Sequence, residues 1–327
     1  MWTLQYLFYL NGEYEELARL EVSSLLSAYG INYRLRKIGT QALLVDSDEI
    51  PDVVMKRLAL THRVMEYLGA LRAGSGRLLC EPVCRVMVPG SFSLRIKKID
   101  KDINSMLEER RISEQIIECC DARVDLKSPD NEFYGMYVDG TVYVGMTRFQ
   151  KDSKSFLSRK PQYRPYFHPS SIDPRIARAL VNISEATREV MDPFCGTGGI
   201  LIEAGLMGMK AHGVDIEEKM VEGTRMNLSY YGIEGDILRG DTSRIEIDRP
   251  YESVVTDVPY GKSTVVGEGR DMLYRAAFRK IYEMCSGKTV IVLPFEHDFN
   301  SYGFIIEEMI AIRVHKSLNR HIYKLGK

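Results

Sequence analysis

Val190-Met-Asp-Pro-Phe-Cys-Gly-Thr-Gly-Gly199 joins the end of an apolar strand to a glycine-rich turn, and the turn leads into an apolar helix from Ile200 to Met207. Glycines let the backbone approach a ligand closely, and a helix N-terminus presents unpaired N–H groups. Asp192, at the strand end, would repel a pyrophosphate, so the motif does not fit a dinucleotide site; it suits a cationic amino-acid group instead. A tight strand-to-helix turn that binds nothing is the alternative.

Around this stretch, short apolar runs alternate with helical patterns, which predicts a parallel sheet covered by helices on both faces. The predicted strands are Glu189 to Asp192, Ala211 to Asp215, Ile237 to Gly240, Ser253 to Asp257 and Thr289 to Leu293. Two further runs, Phe304 to Val314 and His321 to Leu325, are too close together for a crossover helix. They predict an antiparallel hairpin at the edge of the sheet.

Acidic residues stand at the ends of successive predicted strands. Asp215 follows Asp192 at the next strand end, where a carboxylate can accept both hydroxyls of a ribose, and Asp241 ends the third strand. Taken singly, each could cap a helix, which is the commoner role of such an Asp. Together they line the carboxyl edge of the sheet, where open α/β folds bind ligands.

Thr256-Asp-Val-Pro-Tyr-Gly261 stands at the tip of the fourth strand and is the most specific motif in the chain. The Asp257 side chain and the next backbone carbonyl are adjacent acceptors, Pro259 stiffens the turn, and Tyr260 offers a flat face for stacking. This set suits the exocyclic amine of a planar base, because both N–H groups are held and the nitrogen lone pair faces an electrophile. The alternative is a loop whose tyrosine packs on the sheet rim.

The N-terminal half predicts two small α+β modules of the ferredoxin-like type, covering residues 1–70 and 71–147. A basic linker (148–169) and the α/β domain (170–327) follow. The predicted elements of the first module are strands Trp2 to Leu10, Tyr33 to Ile38 and Gln41 to Asp46, with helices Glu15 to Tyr29 and Pro51 to Tyr67. Those of the second are strands Glu81 to Val88 and Ala122 to Leu126, helix Asp102 to Glu109, and a hairpin of Phe133 to Val138 and Thr141 to Met146 through Asp139-Gly140.

Composition limits the class of protein. The chain has 327 residues with 44 Lys and Arg against 45 Asp and Glu, and 45% of them are hydrophobic, which excludes a disordered tail protein and a fibrous one. No basic region precedes the apolar N-terminus and no apolar run reaches membrane-spanning length, so we expect neither a signal peptide nor a membrane segment. The six cysteines lack paired metal-ligand spacing, which favours reduced thiols in a cytoplasmic protein and no bound metal.

The two chemical motifs together resemble the class I S-adenosylmethionine-dependent amino-methyltransferases, with Asp192-Pro-Phe-Cys-Gly-Thr-Gly198 first and Asp257-Val-Pro-Tyr260 downstream. The chain is most similar to the archaeal tRNA guanine-10 N2-methyltransferase family, which joins a THUMP RNA-binding domain to such a catalytic domain. Three other segments carry the resemblance: Val124-Asp-Leu-Lys-Ser-Pro-Asp130, Arg164-Pro-Tyr-Phe-His-Pro169 and His315-Lys-Ser-Leu-Asn-Arg320. One departure is Val258, where the family usually has proline.

The resemblance implies a fold, a cofactor and a set of site residues. The fold is an α/β chain with N-terminal α+β ferredoxin-like (1–70) and THUMP (71–147) modules, a Rossmann-like methyltransferase domain and a C-terminal hairpin. The cofactor is S-adenosylmethionine, with its methionine end near Asp192, Gly196 and Gly198, its ribose on Asp215, and its adenine beside Ile216, Asp241 and Thr242. Asp257, Pro259 and Tyr260 would hold a guanosine of tRNA, and Asp257 would accept the proton shed on methylation.

Two basic segments predict where RNA binds. Residues 148–164 hold six basic residues against one acid, interleaved with Phe149, Phe156 and Tyr163, and residues 309–327 hold five basic residues and no acid. Both are expected to guide a polyanion toward Asp257. The predicted RNA contacts are Lys151, Lys154, Arg159, Lys160 and Arg164.

The resemblance also implies a partner, because relatives of this family can require a small zinc-binding activator subunit. Three other activities stay open: methylation of another RNA base, methylation of a protein glutamine amide, or RNA binding without catalysis. A THUMP-like module argues against a peptide substrate. A dehydrogenase is the weakest alternative, because the glycine spacing is wrong for one.

Overall fold

A computed structural model of the chain describes residues 4–99, 103–169, 171–259, 268–315 and 318–327. The chain forms two compact units. The first consists of Met1–Arg19, Tyr29–Lys56 and Leu60–Lys151, and the second of Leu20–Ala28, Arg57–Ala59 and Asp152–Lys327. Among the described residues, none of the helices has the length and apolar character needed to cross a membrane.

The described part of the first 151 residues contains more strand than helix. In chain order they form β1 (Leu4–Leu10), α1 (Glu15–Ala28), β2 (Tyr33–Gly39), β3 (Ala42–Ser47), α2 (Asp52–Arg57), β4 (Thr61–Arg72), α3 (Cys80–Val86), β5 (Ser91–Lys98), α4 (Ser105–Cys120), β6 (Arg123–Val124), β7 (Asn131–Val138) and β8 (Thr141–Gln150). The eight strands make one sheet in the order β2-β3-β1-β4-β8-β7-β5-β6. Strand β5 pairs in parallel with β6 and β7, and the other pairs are antiparallel.

The predicted hairpin of β7 and β8 is present. Asp139 and Gly140 at its turn have φ values of 46° and 77°, the pair of positive angles that a two-residue hairpin turn of the I′ type requires. Phe92 and Phe133 lie against each other in the core beside this hairpin, with ring centroids 5.8 Å apart. Ile112 and Ile116 of α4 belong to the same buried cluster, so α4 covers this part of the sheet.

Two predictions in this half are wrong, and one strand was not predicted. The helix predicted for Pro51 to Tyr67 ends at Arg57, and the chain continues as strand β4, which lies between β1 and β8 in the sheet. The strand predicted for Glu81 to Val88 is helix α3. Strand β5 was not predicted, although Phe92, Leu94 and Ile96 alternate with more exposed residues along it.

The predicted boundary at residues 70 and 71 falls inside β4. Hydrogen-bonded pairing of β4 with β8 continues on both sides of it, so the sheet does not divide there. The functional separation of residues 1–70 from a THUMP module at 71–147 stays a prediction.

Two helices of this half are joined by a disulfide between Cys80 and Cys119. The prediction that all six cysteines are reduced is therefore wrong for this pair. Their proximity could not be inferred from the chain's pattern, because Cys80 begins α3, in a segment where that pattern predicts a strand. Cys195 and Cys285 are buried thiols, as expected.

The second unit contains the predicted α/β series. Its elements are α5 (Ser153–Ser158), α6 (Pro174–Ile183), β9 (Glu189–Asp192), α7 (Gly199–Leu206), β10 (Lys210–Asp215), α8 (Glu218–Tyr230), β11 (Gly235–Arg239), β12 (Ser253–Asp257), α9 (Glu268–Met284), β13 (Thr289–Leu293), β14 (Ile305–His315) and β15 (Leu318–Gly326). The strand order is β11-β10-β9-β12-β13-β15-β14. Strands β9 to β13 pair in parallel and β14 with β15 forms the predicted antiparallel hairpin.

The segment 148–169, predicted as a basic linker, contains regular secondary structure. Arg148 to Gln150 complete β8, Ser153–Ser158 form α5, and Pro161–Tyr163 form a turn of 3-10 helix. Asp152 caps α5 by accepting a hydrogen bond from the Lys154 amide at 2.9 Å. The chain therefore enters the second unit through a capped helix.

Candidate active site

The site lies where the strand order reverses. From β9 the chain continues to β10 on one side, and β12 lies on the other, so β9 and β12 flank a switch point of the kind where α/β sheets bind ligands. Asp192 ends β9, Asp215 ends β10 and Asp257 ends β12. These parallel strands bring the three predicted carboxyl groups to one edge of the sheet.

The glycine-rich turn is held from several sides. The Cys195 amide donates to the Val214 carbonyl at 2.9 Å, the Thr224 hydroxyl to the Gly196 carbonyl at 2.7 Å, and the Asn227 side-chain amide to the Thr197 carbonyl at 2.9 Å. Gly198 has a φ of 79°, and a Cβ there would lie 2.9 Å from Thr224. Gly196 also has a positive φ, but a Cβ there would meet no atom within 4 Å, so this side of the turn is open to a ligand.

Asp192 is a buried carboxyl group. Its Oδ1 accepts hydrogen bonds from the Phe194 amide at 3.1 Å and from the Thr256 hydroxyl at 2.7 Å. Burial raises the pKa of Asp192 to about 7, and the negative charges of Asp215 and Asp257 act in the same direction. A cation at this place would stabilise the charged form.

Asp215 links the turn to the start of α8. Its two oxygens accept the amides of Gly196 and Glu217, each at 2.9 Å. Each oxygen of a carboxylate has a second lone pair, so both can still accept a hydroxyl from a ligand. Burial raises the pKa of Asp215 above its ordinary value.

The residues predicted to lie beside adenine have separate structural roles. Asp241 accepts hydrogen bonds from the Ser243 amide and hydroxyl, at 2.9 and 2.7 Å, and so caps a turn. No helix begins at this turn, so the alternative role as a helix cap does not apply to Asp241. The Thr242 hydroxyl donates to the Pro193 carbonyl and ties this turn to the glycine loop. Ile216 is 64% exposed, which leaves an apolar surface next to Asp215.

Asp257 is buried beside a cation. Burial raises its pKa to about 6, and the guanidinium of Arg320, whose Nη2 lies 2.9 Å from Asp257 Oδ2, holds that rise back. Val258 is fully buried, and its amide donates to the Val292 carbonyl at 3.1 Å, a hydrogen bond that proline could not make. The Pro259 carbonyl accepts the Tyr274 hydroxyl at 3.1 Å. Tyr260 lies outside the described residues.

Burial corrects part of the predicted RNA-binding set. Lys151, Arg159 and Arg164 are buried, so their side chains do not form an exposed phosphate-contacting surface. Arg159 donates from Nε and Nη2 to the Glu203 carboxylate at 2.8 and 3.2 Å. Lys154 is exposed and Lys160 is half-buried, so these two remain candidates.

The predicted stacking partners are divided in the same way. Phe156 is buried with the guanidinium groups of Arg159 and Arg178 over its ring, at 4.5 and 5.2 Å from the centroid. Tyr163 is 62% exposed and remains available for stacking.

Sequence reasoning missed three residues of the site: Thr256, Tyr274 and Arg320. Thr256 is the first residue of the Thr256–Gly261 motif, but the pattern gave it no role, because its contact with Asp192 depends on the pairing of β12 with β9. Arg320 belongs to the segment from His315 to Arg320 that resembles the family, so the sequence marked this residue as notable. Its contact with Asp257 could not be predicted, because it depends on the pairing of β15 with β13. Tyr274 lies in α9, outside both motifs, and no sequence pattern indicates its hydrogen bond to the Pro259 carbonyl.

The fold and the carboxylate-lined switch point define a class I S-adenosylmethionine-dependent methyltransferase. The protein-family model described as "RMKL-like, methyltransferase domain" matches residues 161–324. In the solved structures, TrmN from Thermus thermophilus has a similar fold, with a TM-score of 0.53 at 20% identity and 99% of both chains covered.

The sequence is 34% identical over 334 residues to the tRNA (guanine(10)-N2)-dimethyltransferase of Pyrococcus abyssi, covering 97% of this chain and 98% of the relative. The enzyme of the same name from Methanothermobacter thermautotrophicus is also 34% identical, with 96% of both chains covered. The chain therefore belongs to the tRNA (guanine(10)-N2)-methyltransferase family.

S-adenosylmethionine is the methyl donor of this class, and the site fits it. The ligand carries a sulfonium and an ammonium group, and either cation would offset the burial, and the lesser repulsion from Asp215 and Asp257, that raise the pKa of Asp192. The open side of Gly196 offers room at the turn. No group of His, Cys, Asp and Glu within the described part of the chain has the arrangement of a metal site.

Proposed function

We propose that the protein transfers methyl groups from S-adenosylmethionine to the exocyclic N2 amine of guanosine 10 in tRNA. The observation that carries this proposal is the buried Asp257 at the switch point, whose Oδ1 has no hydrogen-bond partner among the described residues. An unused acceptor in a buried place suits an N–H donor of the substrate. The choice of guanosine as the target base, and of position 10 in the tRNA, rests on membership of the family.

The cofactor contacts form the first part of the proposal. When bound, S-adenosylmethionine supplies an electrophilic methyl group on a sulfonium. Asp192 and the turn at Gly196 and Gly198 would hold its amino-acid end, and Asp215 would accept its ribose hydroxyls. The exposed face of Ile216, with Asp241 and Thr242 in the next turn, would hold the adenine.

Catalysis would rest on positioning and on one proton acceptor. Guanine N2 is a weak nucleophile, so its N–H groups must be held with the nitrogen facing the methyl group. Asp257 Oδ1 and the Val258 carbonyl would accept these N–H groups, Pro259 would restrain the turn, and Tyr260 would stack on the base. Asp257 would take up the proton that N2 sheds.

The direct test uses unmodified tRNA transcript, labelled S-adenosylmethionine and mass analysis of the nucleosides. The wild type should yield N2-methylated guanosine, and a transcript with adenosine at position 10 should yield none. Asp257→Ala should lose about 10²–10⁴-fold in rate with tRNA binding retained, because the acceptor is gone. Asp248→Ala, an exposed site in the same unit, is the matched control. Unimpaired transfer by Asp257→Ala would contradict the mechanism.

For tRNA binding, we propose that Lys154 and Lys160 contact phosphates and that Tyr163 stacks on a base. This proposal is supported by the exposure of the side chains, because Lys154 and Tyr163 are exposed and Lys160 is half-buried. A THUMP-like module within residues 71–147 is part of the same proposal.

A small zinc-binding activator subunit and a cytoplasmic location complete the proposal. The edge strand β11 exposes Leu238, and α8 exposes Met226 and Tyr230, which is apolar surface that a partner could cover. Full activity of the purified chain alone would contradict the need for an activator. Cell fractionation tests the location.

A further inference from the structure

Arg320 reaches the catalytic carboxyl group from a neighbouring part of the sheet. Asp257 pairs with Val292 of β13, and β13 pairs with β15 through Leu293 and His321, the residue next to Arg320. The side chains of Arg320 and Asp257 are only 12% and 16% exposed. The β13–β15 pairing therefore brings a guanidinium to Asp257 at the carboxyl edge of the sheet.

The pair leaves one acceptor and one donor unused. Arg320 Nη2 lies 2.9 Å from Asp257 Oδ2, whereas Asp257 Oδ1 and Arg320 Nε are buried and have no hydrogen-bond partner among the described residues. A guanidinium can donate two parallel N–H groups to one carboxylate, so the two residues make half of the bidentate contact available to them. Unpaired buried polar atoms are rare in proteins, and two at one pair indicate a ligand that supplies both partners.

We propose that Asp257 Oδ1 and Arg320 Nε together recognise the amidine edge of the target base, which makes Arg320 a specificity-determining residue. In guanine this edge consists of the N2 amine, which donates to Asp257, and ring nitrogen N3, which accepts from Arg320. The inference rests on the proposed function, because it takes the N2 amine as the group that is methylated.

The donor and acceptor pattern selects the N3 side of guanine. On the other side of the amine, guanine carries N1–H, a donor that would face the Nε–H donor of Arg320. N3 carries a lone pair and no hydrogen, so it accepts that N–H. Uracil and hypoxanthine lack the exocyclic amine, so they present no group to be methylated at this place. Adenine and cytosine also carry an amine next to a ring nitrogen, so discrimination against them rests on other contacts.

The test compares guanosine with 3-deazaguanosine at position 10 of the tRNA, because the analogue replaces N3 with C–H and keeps the amine. The wild type should methylate the analogue roughly 10- to 100-fold more slowly, the effect of losing one hydrogen bond to a charged group. Arg320→Met should be slower on guanosine by a similar factor and should show no further loss on the analogue. This double comparison cancels any change in the nucleophilicity of N2.

Arg320→Lys separates recognition from charge. It keeps a cation beside Asp257 but lacks the parallel N–H pair, so it too should lose discrimination against 3-deazaguanosine. The pH profile should differ between the variants: the acidic limb of kcat/KM stays near pH 6 in Arg320→Lys and moves to higher pH in Arg320→Met, because the neighbouring cation lowers the pKa of Asp257. Should Arg320→Met be inactive, Arg320→Lys alone decides the comparison of bases.

Arg313→Met, at an exposed arginine of the neighbouring β14, is the control and should keep full discrimination. Equal wild-type rates on guanosine and 3-deazaguanosine would overturn the inference, as would an unreduced penalty for the analogue in both Arg320 variants. Either result leaves the proposed function intact. Failure of the wild type to methylate ordinary guanosine would instead overturn the proposed function, and the inference with it.

Discussion

At the scale of single residues, the site is a set of carboxyl groups in an unfavourable environment. Asp192 has a pKa of about 7 and Asp257 one of about 6, in both cases mainly because burial disfavours the charged form. Carboxyl groups with raised pKa values are common in catalytic sites, because a bound ligand can stabilise the charged form that burial disfavours. At Asp192 we propose that this ligand is the cationic amino-acid end of S-adenosylmethionine.

Asp192→Asn should weaken the binding of S-adenosylmethionine about tenfold or more, because the amide keeps the Oδ1 acceptor but loses the negative charge. Calorimetric titration measures this, with exposed Asp248→Asn as the control. Unchanged affinity would show that Asp192 does not meet the cationic end of the cofactor.

The same variant carries a prediction for stability. An acid whose pKa is raised in the folded state binds more protons folded than unfolded between about pH 4 and its folded value near 7. The ligand-free wild type should therefore lose stability as pH rises through that window. Asp192→Asn lacks this loss and should unfold at a higher temperature than the wild type at pH 8, with a smaller difference at pH 4. Thermal unfolding at both pH values measures it, and identical pH dependence would contradict the assigned burial.

At the scale of elements, α7 begins at the glycine turn and is anchored by a buried ion cluster. Glu203 of α7 is fully buried and pairs with Arg159 and Arg178, each at 2.8 Å. Both guanidinium groups also lie over the Phe156 ring. Arg159, which the sequence predicted as an RNA contact, thus joins the end of α5 to the helix that follows the cofactor turn.

Arg159→Met should destabilise the protein by about 3 kcal/mol, because Glu203 loses one of its two cationic partners while it stays buried. Urea denaturation measures the change. Lys154→Met, on the exposed side of the same segment, is the control and should change stability by less than about 0.5 kcal/mol. A stable Arg159→Met with weakened tRNA binding would restore the original interpretation.

Elements were predictable where the local pattern and the tertiary environment agree. Strands β9, β12 and β13 have the predicted bounds because each is a short apolar run that ends at a turn. The pattern at β4 predicts a helix wrongly because Val64 and Met65 are adjacent and both buried. The apolar residues of this strand therefore do not alternate strictly, and the run has no clear strand period.

The site residues, too, could be predicted where the local pattern was sufficient and not where a contact depends on tertiary structure. Asp192, Asp215 and Asp257 could be predicted because strand ends in a parallel sheet share one edge. The contact of Arg320 with Asp257 could not, because it depends on the register of β15 with β13. Likewise, the sequence does not reveal that Arg159 forms a buried ion pair with Glu203 and is therefore not available to RNA.

At the scale of the whole molecule, the formal charge of -1 gives little information about the surface. The two basic segments were expected to present a positive surface, but several of their charges are used inside the fold. Arg320 pairs with Asp257, and Lys324 is buried with its Nζ 2.5 Å from the Glu185 carboxylate. Within the described residues of these segments, Lys154, Lys160, Arg313 and Lys327 are left to contact a polyanion.

The salt dependence of tRNA binding should reflect this reduced set. The double variant Lys154→Ala/Lys160→Ala should weaken binding and flatten the plot of log affinity against log salt by roughly 0.9 for each phosphate that the protein no longer neutralises. Lys210→Ala is the control, because this exposed lysine begins β10, at the end of the strand opposite Asp215, and should leave the slope unchanged. Filter binding with unmodified tRNA over a series of KCl concentrations measures both. An unchanged slope in the double variant would move the phosphate contacts away from residues 148–164, and a slope that falls equally in the control would indicate non-specific attraction.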